Sequence, residues 1–419
     1  MTRIRFIEPP KRKRTTAVQT LRRLLAYGLV ALVMWVIFHN VPAIADDQFY
    51  DPDNVELAGR AGSIIRSEAM PFAPPGAPAY RVLYRSVGLQ GEPIAASGVL
   101  IKPDTGSDEG RPIVAWAHPT SGVATVCAPS LSRGVYRQIQ GPQQMLQQGF
   151  AVVATDYPGL GGSGVHPYLI GDSEGKAVLD SLRAARQLLD QQEPTRFAVC
   201  GHSQGGQAAL YAGELAGSYA PELKLVGIAA AAPATDLPTL MRDDFASSGG
   251  KGLTALTLWS WSRVFDIKLD EIVKPDAEQT VDTLAGGCIE TIFDLLERRI
   301  EERPLSKDFL TITDLGAAEP WNRILKQNVP GTLPREVPVF VAQGLADSIV
   351  RPDVTVSYVR QLCTNGSRVG FVTLPKVGQA SLPEAPLRMP SGGWRTGSRA
   401  PPHRIPAPSS RYPSKETDL

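Results

Sequence analysis

The chain has 419 residues, 43% of them hydrophobic and 20% charged, so a sizeable core is available and wholesale disorder is excluded. The formal net charge is +1, from 43 Lys+Arg against 42 Asp+Glu, but residues 1–45 hold eight of the basic side chains and a single acid, Glu8. The remaining body carries 35 basic against 41 acidic residues, a balance with no footprint for polyphosphate, so no nucleic acid is expected as a partner.

The N-terminus explains the basic excess. A stretch ending in Arg22 and Arg23 leads into the apolar run 24–38 (LLAYGLVALVMWVIF), and Ala43-Ile44-Ala45 then precedes Asp46 and Asp47. Basic region, apolar region and a small-residue site in that order read as a secretory signal cleaved near Ala45, which places the body outside the cell or in its envelope. An uncleaved N-terminal membrane anchor is the competing reading, but fifteen strongly apolar residues fall short of a span of about 20. Membrane contact is therefore expected only through this segment or at a lipid interface, and nothing points to a protein partner. All four cysteines, Cys127, Cys200, Cys288 and Cys363, lie in the exported part and allow three pairings. Cys200 ends an apolar run and reads as a buried small hydrophobe.

Two stretches, 80–86 and 95–101, predict antiparallel strands at the edge of a sheet. The runs 113–117, 150–155 and 197–200 are short, rich in β-formers and followed by Gly, Pro or Ser, as buried parallel strands are. Between the last two, Val178, Leu182, Ala185 and Leu189 recur at helical spacing, predicting an amphipathic helix over 173–190. Further strands are expected at 225–230 and 337–341 and a helix at 354–362, with Asp353 as its N-cap. Strands alternating with helices give a doubly wound, mostly parallel α/β sheet. The alternation breaks between 237 and 330, where only helical patterns appear (256–265, 289–302). A stretch of that length is expected to be an inserted helical cap rather than a loop. The core is thus divided into 46–236 and 331–380. Residues 381–419, rich in Pro, Ser, Gly and Arg, predict a disordered tail.

Residues 197–200 run directly into Gly201-His202-Ser203-Gln204-Gly205, with a helical run after it. A serine at such a strand-to-helix corner needs small neighbours, because the backbone passes close to itself, and the corner exposes the hydroxyl as a nucleophile. One oxyanion donor comes with it, the backbone N–H of Gln204. The other is expected from the loop after 113–117, His118-Pro119-Thr120-Ser121-Gly122. Pro119 has no N–H, so Thr120 or Ser121 supplies the bond, with Thr120 preferred. His118 is expected only to anchor that loop. Asp347 stands past the run 337–341, where a carboxylate could orient an imidazole. Asp156 is expected to hold a turn. Trp259 and Trp261 either line a pocket or pack the cap. No metal, nucleotide or flavin motif is present, so no metal or cofactor is expected.

Taken together, Trp116–Gly122 with Cys127-Ala128-Pro129-Ser130, Asp156–Gly161, Gly201–Gly206 and Gly344–Pro352 resemble the secretory lipase family of α/β-hydrolases, the fungal lipase A type. The resemblance spans about residues 80–378. It implies carboxylic-ester hydrolysis on acylglycerols or related lipids, with the helical insertion covering the acyl pocket, and it fits a Cys127–Cys288 bridge. One position departs from it. The general base of the family follows a strand and a short glycine-containing phrase, and where Phe371–Gly378 would lead to histidine, this chain has Gln379. Glutamine takes no proton near neutral pH. The chain has five histidines; only His403 follows Asp347, in a Pro-rich stretch with no evident anchor. The composition changes at the same place, as a shift of reading frame near the codons for 378–380 would produce. A hydrolase-fold protein that binds an acyl ester without turning it over is therefore the second expectation.

Overall fold

Apolar runs bounded by Gly, Pro and Ser become strands in the computed structural model, because β-branched side chains fit a pleated surface covered on both faces. The structure describes residues 27–29, 47–51, 55–71, 73–132, 134–192, 194–244, 248–289, 305 and 309–378. In chain order the strands are β1 (Ile64–Ala69), β2 (Ala79–Val87), β3 (Pro93–Ile101), β4 (Ile113–Ala117), β5 (Ala151–Thr155), β6 (Arg196–His202), β7 (Lys224–Ala231), β8 (Val339–Gly344) and β9 (Val369–Leu374). They form one sheet ordered β1-β2-β3-β5-β4-β6-β7-β8-β9. Pairing is antiparallel from β1 through β5 and parallel from β5 to β9. This is the expected α/β-hydrolase arrangement.

The main helices are α1 (Gly171–Leu188), α2 (Gln204–Tyr219), α3 (Leu237–Asp244), α4 (Ser248–Val264), α5 (Pro275–Gly286), α6 (Trp321–Gln327) and α7 (Pro352–Thr364). One face of the sheet buries Leu100, Val153, Val199 and Val341 against Val178 and Leu182 of α1, Ala208 and Ala212 of α2, and Tyr358 and Val359 of α7. The opposite face buries Val99, Val114, Trp116 and Cys200. Cys200 is a buried free thiol, pushed up to about 12 by burial, and so behaves as the small hydrophobe expected of it. Helices α3 to α6 lie between β7 and β8 and build a second apolar cluster around Leu256, Trp261, Val281 and Trp321. Trp261 is fully buried and stacks on Trp321 at 6.3 Å, so it packs this cluster, whereas Trp259 reaches outward to Asp282.

Several boundaries differ from the sequence reading, each for a local reason. β1 was not anticipated: IIRSEA has three apolar residues, none of them buried, as an edge strand can, and it displaces the β2–β3 pair from the edge. β8 starts after Pro338, whose missing N–H cannot join the ladder. Helix α7 begins with Pro352 behind Arg351, so Asp353 is not its N-cap; it sits in the first turn and accepts from Arg351 Nε at 3.0 Å. The helix expected at 289–302, past Ile289, and the tail at 381–419 fall outside the described residues, as does nearly all of 1–45, which separates as its own unit. Among the described residues no helix is long and apolar enough to cross a membrane.

Cys127 and Cys288 form a disulfide across 161 positions, joining the loop after β4 to the chain just past α5. Ile289 N–H also donates to Ser121 O at 2.8 Å, so bridge and hydrogen bond fasten the two segments together. Closing a loop of this length restricts the unfolded chain strongly. Replacing both cysteines by serine is expected to cost about 2–5 kcal/mol. The check is the urea midpoint of the double variant; an unchanged midpoint would show that the bridge contributes nothing.

Candidate active site

The elbow at Ser203 is built by close approach. Ser203 follows β6 with φ 59 and ψ −120, outside the regions an L-residue adopts freely, and it precedes Gln204, the first residue of α2. Its N–H donates to Ala231 O at 2.9 Å and its carbonyl accepts from Gln207 N–H at 3.1 Å, so both sides of the strained residue are pinned. A Cβ on Gly201 would lie 2.0 Å from Gly205 O, and one on Gly205 only 1.9 Å from Ala117 O and 2.6 Å from His118 O. The glycines therefore let the elbow and the loop after β4 touch backbone to backbone, at Ala117 and His118. The first N–H groups of α2, Gln204 among them, have no partner within the helix.

His118 acts as the loop's anchor. Its Nδ1 lies 2.7 Å from Pro119 O and its ring packs 4.3 Å from Tyr157, while burial pushes it down to about 4, so it is neutral. Asp156 differs from expectation in detail: it is buried and bonds across the chain, accepting from Ser130 N–H at 2.8 Å and Ser97 Oγ at 2.6 Å. Burial raises it to about 6.

Asp347 follows β8, two strands from the elbow in the order β6-β7-β8 and at the same carboxyl edge of the sheet. Two strand spacings are about 10 Å, a separation one imidazole can bridge. Asp347 Oδ1 accepts the N–H groups of Ile349 (2.9 Å) and Val350 (3.0 Å), and burial raises the carboxyl to about 6 despite those bonds. Gln343 fastens the same turn through Val350 O at 2.9 Å and Thr355 Oγ1 at 2.7 Å. The turn after β9 docks on this loop: Ala346 N–H donates to Val377 O at 2.9 Å. The backbone is thus delivered next to Asp347 two residues before position 379. Gln379 itself and His403 lie outside the described residues.

Two buried residues behind the elbow, His166 and Glu174, were not anticipated as part of the site. Gln204 Nε2 donates to Glu174 Oε1 at 2.7 Å and lies 3.1 Å from His166 Nε2. His166 Nδ1 is 2.9 Å from Pro158 O; with that nitrogen donating, Nε2 is left as the acceptor for Gln204. Burial pushes His166 down to about 3, and raises Glu174 to about 8, against which its bonds from Gln204 and Leu169 N–H act only in part. The cue available in the sequence was Glu174 in the first turn of a helix, on the face turned inward.

The secretory lipase family matches residues 140–390, more than half of the chain. The chain belongs to that family. Lipase A of Moesziomyces aphidis is 25% identical over 369 residues, 80% of this chain and 76% of the relative. A protein described as a probable inactive lipase of Mycobacterium tuberculosis is 26% identical over 352 residues, 76% of this chain and 77% of that one. Among solved structures, Candida antarctica lipase A in its closed state superposes with a TM-score of 0.67 at 24% identity, covering 81% of this chain and 82% of that chain. A rice cell wall degrading esterase of Xanthomonas oryzae reaches 0.63 at 20% identity, covering 77% and 93%. Both share the fold.

Two outcomes are expected for the secretory lipase elbow and its support. Gly205→Ala should destabilise the protein by at least about 2 kcal/mol, since the added methyl must displace backbone at Ala117; the urea midpoint measures it. Glu174 is protonated in the folded chain up to pH ~8 but ionises from its ordinary 4.5 when unfolded. The unfolded state then binds fewer protons, so stability falls as pH rises from about 4.5 to 8, by up to about 1.4 kcal/mol per pH unit. Glu174→Gln should remove that fall, and melting temperatures of both proteins from pH 5 to 8 should diverge in favour of the variant. Parallel curves would contradict it.

Proposed function

We propose that this chain is an exported serine carboxylic-ester hydrolase of the lipase type, acting on acylglycerols or related lipid esters, with Ser203 as nucleophile and Asp347 as the acid. The observation carrying this reading is the strained corner that holds Ser203 at the carboxyl edge of the sheet, beside the loop of Thr120. In such a site the serine oxygen attacks the ester carbonyl, and the carbonyl oxygen gathers charge facing the amides of Gln204 and Thr120. The serine proton passes to a base, which returns it to the departing alkoxide; water then releases the acyl group. Helices α3 to α6 serve as the cap over the acyl chain. The N-terminal segment directs export and is removed near Ala45.

The base is where this chain departs from that scheme. An amide at position 379 takes no proton near neutral pH, and loss of the base lowers acyl transfer by orders of magnitude. A second reading follows from that residue and from the relative described as a probable inactive lipase: a protein that binds an acyl ester under its cap without turnover. Hydrolysis of p-nitrophenyl butyrate separates the two. Gln379→His is expected to raise kcat at least about a hundredfold, and adding Ser203→Ala to abolish the gain. Wild type equal to Ser203→Ala would establish the binding reading for the chain as it stands. His403→Ala is expected to change nothing; a drop would make His403 the base.

A further inference from the structure

Thr120 and Gln204 come from the ends of different strands, yet the side chains of both are held by one short stretch, residues 166–169. Thr120 Oγ1 shares a hydrogen bond of 2.8 Å with Tyr168 Oη. Gln204 is held by His166 Nε2 and by Glu174, whose Oε1 also accepts Leu169 N–H at 2.9 Å. Leu169 carries a positive φ of 58, a conformation that persists only where its surroundings impose it.

The other side of this stretch belongs to helix α4. Ser260 Oγ donates to His166 O at 2.6 Å and accepts Tyr168 N–H at 3.1 Å. Trp261 Nε1 donates to Tyr168 O at 2.7 Å. Tyr168, Leu169 and Ile170 are buried in the apolar cluster of α3 to α6 rather than in the sheet's own core. The stretch is thus packed as part of the helical segment while its polar groups reach down to the two oxyanion candidates.

We infer that Tyr168 is a positioning residue of the oxyanion site: its hydroxyl fixes Thr120, so that the Thr120 amide stays aimed at the oxygen bound by Gln204, and it ties that amide to the position of helix α4. This rests on the reading of Ser203 and its amides given above. The ring of Tyr168 packs apolar neighbours, so Tyr168→Phe keeps the packing and deletes only the hydroxyl. The effect therefore falls on a tetrahedral, charged ligand and spares one that merely fills the acyl pocket.

Octylboronic acid is the probe for the former and 1-octanol, the same chain without boron, for the latter. The boronic acid forms an Oγ–B bond with Ser203 and the serine proton leaves to solvent, so no base residue is needed; the tetrahedral boronate presents an oxygen to the amides. With the full chain, Tyr168→Phe should weaken octylboronate binding about tenfold, a fraction of the 10²–10³ lost with a whole donor. Octanol binding should stay within about twofold. Thr120→Val should give the same loss, Thr120→Ser should restore wild-type affinity, and Tyr168→Phe with Thr120→Val should lose no more than either alone, since both delete one bond. Boronate affinity unchanged in Tyr168→Phe while Ser203→Ala loses it would overturn this inference and leave the serine reading standing. Equal losses for boronate and octanol would also overturn it, showing that the hydroxyl only supports packing. Boronate binding equally well to wild type and Ser203→Ala would sink the serine reading and this inference with it.

Discussion

A single residue held against its conformational preference organises this molecule. Ser203 keeps φ at 59 because β6, β7 and α2 leave it no alternative: its N–H is committed to Ala231, its carbonyl to Gln207, and the chain on either side must fit between Gly201 and Gly205. Strain of about 1–3 kcal/mol persists only where packing over-determines it. Here that packing is the central parallel part of the sheet with α1 and α2 against it, built from fully buried Val, Ile, Leu and Ala.

The rest of the site is arranged around that corner by the sheet's parallel half. Parallel strands bring their carboxyl ends to one edge, so the chain turns that follow β4, β6, β8 and β9 lie along that edge although they are far apart in sequence. The loop after β4 touches the elbow through backbone atoms, and the turn after β9 touches the loop of Asp347 in the same way. Backbone contact of this kind tolerates little displacement.

A layer of buried polar groups supports the elbow from behind, and its electrostatics follow from desolvation. Glu174, Asp156 and Asp347 are all raised, and His118 and His166 lowered, because each is removed from water without a full counter-charge. His166 must be neutral to accept the Gln204 amide, whereas the bonds on Glu174 favour its charged form and are outweighed by burial. The layer joins the sheet to the helical segment at residues 166–169, and the Cys127–Cys288 bridge joins them again at the loop after β4. The helical segment and the oxyanion candidates are thereby one connected structure.

Most of the strands and helices were legible in the amino-acid sequence, because buried parallel strands are short apolar runs and amphipathic helices repeat every three to four residues. The corner motif with Ser203 was legible because close backbone approach tolerates only glycine at its flanks. The reading of Gln379 as standing in the base's place rests on residue type alone, since position 379 lies outside the described residues. Edge strand β1 escaped notice for lack of a buried face. The support of the elbow by Glu174, His166 and Tyr168 was decided only by tertiary structure. A hydrogen bond between Tyr168 and Thr120, or between Gln204 and Glu174, leaves no periodic trace along the chain; it exists only once strands and helices distant in order have been brought together.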